Sequence, residues 1–216
     1  MRNIVIVGAS GLGREAYQWL SDLGEKENVK GFLDPNKSAL HNSKIDLPIL
    51  GSEDTYNPEP HEEFVIAITD PGIKQKAINI LKTKNASFRS VIHPTAIISE
   101  HSDVGTGVII YPYALISCDA AVGSYTVITI AAVIGHDVTV GEYSYIGTNT
   151  VLAGWSSVGI GCYIGSNSVI AQRTTVEDGS KVSSNVTVFG KVKRGEIVMP
   201  ARNRKAFLQP PPPETQ

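Results

Sequence analysis

His136 and Asp137 stand side by side in a polar break between the apolar Val133-Ile134 and Val138-Thr139-Val140. A neutral imidazole, with an unperturbed pKa near 6.5, can take a proton from an amine or hydroxyl as that group attacks a thioester. The adjacent carboxylate can hold one tautomer and stabilise the imidazolium that forms. The pair therefore suits acyl transfer; the plain alternative is an exposed surface histidine. A second candidate set is Gly8-Ala9-Ser10-Gly11-Leu12-Gly13, which follows the short apolar run Ile4 to Val7. Glycines at a strand-to-helix turn let backbone amides and a helix amino end approach a phosphate. Ser10 breaks the strict GxGxxG spacing, so the same glycines also read as a tight turn with nothing bound. Asp34, after the second apolar run, is placed to accept from a ribose or base.

These residues sit in two kinds of text that meet near residue 90. The first ninety residues alternate strand and helix signals. Arg2 to Val7, Val29 to Leu33 and Phe64 to Ile68 read as strands, Arg14 to Leu23 and Ile73 to Lys84 as helices, and Ser87 to Ile92 as extended. Thr69-Asp70-Pro71-Gly72 ends the third strand. The unit is a small Rossmann-like α/β domain over residues 1–90. Ninety residues are about half a full dinucleotide fold, which favours a mononucleotide head over NAD.

From Ile92 the chain keeps a period of six. Every sixth residue from Ile92 to Val188 is Ile, Val or Leu, seventeen positions without a failure. With apolar residues at about half of all positions, chance produces such a run on the order of once in 10⁵ frames. The position four later is small or valine throughout, as in Ala114, Ala120, Thr126, Ala132 and Ser144. One aliphatic and one small inward residue per six describes a short strand and a tight corner, and three such units close a triangular coil of eighteen. Inward aliphatics then stack in ladders such as Ile110, Ile128, Ile146, Ile164 and Val182. The frame gives about five coils over residues 91–190, with 191–216 as a non-repetitive tail ending in the run Pro210 to Pro213. In this register Cys118 lies one coil before His136 and Gly154 one coil after.

Composition narrows the functions. Of 216 residues 42% are hydrophobic, enough for a core, and the formal charge is −2. Bulk positive charge for nucleic-acid binding is absent. The opening apolar run is too short for a signal core or a membrane span, so a cytoplasmic protein without membrane insertion is expected. Cys118 and Cys162 lack CxxC spacing, and neither a disulfide framework nor a zinc knuckle is indicated. His93 precedes proline at the domain junction and reads as structural, and His41, His61 and His101 as surface residues. Trp155 stands beside Gly154, where it flanks the acyl site or covers a subunit seam. Lys191, Lys193 and Arg194 form a basic cluster in the tail.

Three segments carry a closer resemblance: Gly8-Ala9-Ser10-Gly11-Leu12-Gly13-Arg14-Glu15, Val91-Ile92-His93-Pro94-Thr95-Ala96, and Gly135-His136-Asp137-Val138-Thr139-Val140-Gly141. Through them the chain resembles the sialic acid O-acetyltransferase and bacillosamine-type sugar N-acetyltransferase family of hexapeptide-repeat enzymes. The resemblance implies a left-handed parallel β-helix, acetyl-CoA as cosubstrate without a metal, a nucleotide-linked amino sugar as acceptor, and a homotrimer with active sites between subunits. It makes His136 the general base and Asp137 its orienting acid. The Gly154 amide becomes the oxyanion donor, and Tyr145, Gln172 and Lys191 further acetyl-CoA contacts. Ser10, Gly11, Leu12, Asp34 and Thr69 become the acceptor-binding set. The chain departs from the family in having Tyr145 and Leu12 where members often carry histidine. O-acetylation of sialic acid stays open as an alternative, as does a non-catalytic nucleotide-sugar-binding scaffold. A zinc enzyme on the same helix needs three converging histidines, and His93, His101 and His136 lack matching coil offsets.

Overall fold

The apolar run at the amino terminus forms β1 (Ile4–Val7), whose four side chains are all buried, the mark of a strand covered on both faces. The computed structural model describes residues 3–200. Around β1 lie β2 (Val29–Leu33), β3 (Ile49–Gly51), β4 (Glu63–Ile66) and β5 (Ser87–Phe88), in the order β3-β2-β1-β4-β5 with every pair parallel. Helix α1 (Gly11–Asp22) follows the glycine turn and buries Leu12, Ala16 and Leu20 against one side of the sheet. Helix α2 (Pro71–Thr83) buries Ala77, Ile78 and Leu81 against the other. Its start is fixed by Asp70, whose Oδ1 accepts the Gly72 and Ile73 amides at 3.0 Å, with Pro71 in the first turn. The three-strand reading omitted β3, a three-residue edge strand.

From Val91 the repeat folds into the stacked coil its period predicts, a parallel β-helix with the left hand that the resemblance implied. Nineteen two-residue strands stack into three parallel sheets of six, six and seven strands. Registers advance by one coil, as in Ile116↔Ile134↔Leu152↔Ile170. From Gly107 onward each corner carries a residue in the left-handed region, among them Asp119, Asp137, Trp155 and Arg173 at φ 56–57°. The small inward position has a second reason beyond size. Corner carbonyls point into the prism, and the hydroxyls satisfy them: Ser144 Oγ donates to Gly159 O at 2.8 Å, Thr150 Oγ1 to Gly165 O at 3.0 Å and Ser168 Oγ to Ser183 O at 2.9 Å.

The coil does not stop at 190. Lys191–Val192 pairs with Thr175–Val176, and Ile197–Val198 with Lys181–Val182. A shortened corner at Phe189-Gly190 puts the next inward residue at Val192, four rather than six after Val188, and a step of six misses it. The ladder therefore runs to Val198, about six coils. The proline run lies outside the described residues.

The α/β unit packs on one face of the prism, over the first four strands of that face. Ile109, Tyr111, Val127 and Tyr145 share a core with α1, and Tyr125 and Tyr143 share one with α2. At one edge of that face Tyr111 donates to Glu15 at 2.8 Å and Trp19 packs edge-on to Tyr111 and His93. At the other edge the fully buried Lys74 donates to the carbonyls of Tyr125, Tyr143 and Ser144 at 3.1, 3.3 and 3.4 Å.

Candidate active site

His136 follows strand Val133–Ile134 and precedes Thr139–Val140, so it stands on the prism edge opposite the covered face. Its Nδ1 lies 2.8 Å from Asp137 Oδ2. An ionised carboxylate only accepts, so Nδ1 carries the proton and Nε2 keeps its lone pair. The two side chains are 45% and 42% exposed, which leaves the pair open to a substrate. Left-handed backbone at Asp137, φ 57°, turns the chain here. The rungs are tied by Asp137 N to Cys118 O at 3.2 Å, Trp155 N to His136 O at 3.2 Å and Arg173 N to Gly154 O at 3.3 Å.

Gly154 is where the imidazole rests. A Cβ at this position would lie 2.5 Å from His136 Cε1 and 2.6 Å from Nε2, so only glycine admits the ring. No hydrogen bond from the Gly154 amide is found among the described residues. Trp155 packs edge-on to the imidazole, with centroids 4.4 Å apart at 87°, and the Arg173 guanidinium sits over the indole at 4.9 Å. Arg173 escaped sequence reading. Its eighteen-residue offset from Trp155 was the available signal. Gln172 precedes Arg173 on the same corner and is exposed. Lys191 lies further along on the adjoining sheet, with Nζ 2.6 Å from Glu177 Oε1, and it holds that carboxyl below its usual range. Tyr145 stacks on Tyr163 at 4.8 Å on the covered face, and burial raises its phenol. Within one chain it does not meet His136.

A separate cleft of about 300 Å³ opens at the carboxyl ends of β1, β2 and β4, where strand order reverses. Ligands bind at such switch points. Ser10, Asp34 and Thr69 line it, together with Gly8, Glu53 and Asp70. Asp34 is already engaged: Oδ2 accepts the Ala9 amide and Oδ1 the Asn36 amide, both at 2.9 Å, so it shapes the glycine turn as well as facing the cleft. Gly8, at φ +98°, cannot carry a side chain because a Cβ would strike Ala67 O at 2.5 Å, and a Cβ on Gly13 would collide with Gly8 O. Two members of the expected acceptor set lie elsewhere. Leu12 is buried beneath α1, because the first helical turn aims it at the sheet, and Gly11 opens the helix outside the cleft lining. Among the described residues no cluster of His, Cys, Asp or Glu is arranged to hold a metal. No helix among them is long and apolar enough to cross a membrane.

Comparison with known proteins supports this architecture. Residues 3–81 match the family model for the PglD N-terminal domain. A search of curated sequences finds no match. Among solved structures, a variant of perosamine N-acetyltransferase from Caulobacter crescentus, in complex with CoA and GDP-perosamine, superposes with a TM-score of 0.82 at 22% identity, covering 90% of this chain and 92% of that one. The acetyltransferase domain of PglB from Neisseria gonorrhoeae gives 0.80 at 18% identity over 91% and 96%. WeeI from Acinetobacter baumannii gives 0.71 at 21% over 90% and 95%. Residues 3–81 of this chain are thus similar to the PglD N-terminal domain, and the chain as a whole has the two-part fold of the solved structures it superposes on.

Proposed function

We propose that this protein transfers the acetyl group of acetyl-CoA to the amino group of a nucleotide-linked amino sugar. The observation that carries the reading is the His136–Asp137 pair over Gly154, a proton acceptor and an uncommitted amide from adjacent rungs. His136 Nε2 takes the proton from the sugar amine as it attacks the thioester carbonyl. Asp137 holds Nδ1–H and stabilises the imidazolium. The Gly154 N–H donates to the developing oxyanion, and the same imidazolium returns its proton to the departing thiolate. Similarity to a fold crystallised with CoA and GDP-perosamine supports both substrates.

The acceptor's nucleotide goes to the cleft lined by Ser10, Asp34 and Thr69. That cleft belongs to the domain covering one face, whereas His136 stands on the opposite edge. Cleft and base thus lie on different sides of one chain, an arrangement that fits a homotrimer in which a neighbour's cleft meets His136. The sheet face beside His136 is lined by small residues, Ala121, Thr139, Gly141 and Gly159 among them, which lets a second prism approach. Gln172 and Lys191 remain candidates for CoA contacts along that edge, whereas Tyr145 lies under the α/β unit. Thiol release from acetyl-CoA in the presence of acceptor tests the chemistry. His136→Ala is expected to lower it by roughly 10² or more, and an unchanged rate removes His136 from the mechanism.

A further inference from the structure

We infer that Trp155 is a positioning residue for His136 and that Arg173 acts through it, so that one prism edge carries a three-rung support for the base. The inference rests on the reading of His136 as general base. Three contacts fix the imidazole: Asp137 at Nδ1, the bare Cα of Gly154 beneath the ring, and the indole of Trp155 at 4.4 Å and 87°. Asp137 alone leaves the ring free to rock about its one hydrogen bond, since both side chains are nearly half exposed. An edge-to-face partner removes that freedom. Trp155 is itself 46% exposed, and among the described residues its cation partner is Arg173, whose guanidinium lies 4.9 Å from the ring centroid. Backbone bonds from Trp155 to His136 and from Arg173 to Gly154 hold the three in consecutive coils.

The test combines kinetics with ¹⁵N NMR of the His136 imidazole in the full-length protein. Trp155→Ala is expected to lower kcat about tenfold with KM for acetyl-CoA within twofold, to change the imidazole shifts, and to be largely rescued in Trp155→Phe. Arg173→Ala should lower kcat about threefold, with Arg173→Lys largely restoring it. A kcat within twofold for Trp155→Ala overturns the inference. So does a loss of kcat with unchanged imidazole shifts, because the indole would then be touching substrate. If His136→Ala itself keeps full activity, the catalytic reading has failed instead, and the NMR shifts still report whether Trp155 and Arg173 hold the ring.

Discussion

Lys74 joins the two halves of the molecule through its buried amino group, and its removal gives a quantitative test of the docking. Its side chain is fully buried and meets three corner carbonyls, and burial pushes its pKa down to about 7 despite the nearby Asp70 charge. In the unfolded chain a lysine titrates near 10.4. Between these values the unfolded state binds about one more proton than the folded state, so stability rises with pH through this window. At about 1.4 kcal/mol per pH unit, less the partial titration at each end, the gain between pH 7.5 and 9.5 is about 2.5 kcal/mol. With a urea m-value of about 2.5 kcal/mol/M, the midpoint should move up by about 1 M. Lys74→Met keeps the length and removes the titration, so its midpoint should lack this increment, whatever its absolute stability. Urea unfolding at several pH values, followed by tryptophan fluorescence, measures both proteins. Parallel pH profiles for wild type and Lys74→Met would refute the reasoning.

Gly154→Ala places a methyl against the imidazole and should lower kcat by about 10² with thermal stability within 1 kcal/mol of wild type, as steady-state kinetics and calorimetry would show. Asp137→Asn leaves the ring without its fixed tautomer and should lower kcat by roughly 10² or more while the fold persists, checked by thiol release and circular dichroism. Ser156 Oγ is buried without a hydrogen-bond partner among the described residues, so Ser156→Ala should stabilise the coil by about 1 kcal/mol. Ser144→Ala, which loses bonds to Gly159 O at 2.8 Å and from Cys162 N at 3.0 Å, should cost about 2 kcal/mol in the same urea titration.

The solenoid was legible because one physical constraint, an inward aliphatic per six residues, repeats without interruption from Ile92 to Val188. It ceased to be legible where a corner shortens, although Val192 and Val198 continue the same ladder. The adjacency of His136 and Asp137 is a local fact, and the eighteen-residue coil brought Gly154 to them. The Trp155–Arg173 stack needed side-chain geometry, since both types also suit an exposed corner. Leu12 and Lys74 show the other limit. Both lie in helices whose burial depends on what docks against them, and a lysine on an amphipathic helix gives no sign that a β-helix corner will enclose it.

The central claim is acetyl transfer to a nucleotide-linked amino sugar, and mass spectrometry of the acceptor tests it most directly. Wild-type protein would be incubated with acetyl-CoA and UDP-, GDP- or dTDP-linked 4-amino-4,6-dideoxy sugars, with free sialic acid alongside. The account predicts that one nucleotide-linked amino sugar gains a single acetyl group on nitrogen and that the product vanishes with His136→Ala. Acetylation of sialic acid alone, or of none of the acceptors, would contradict it.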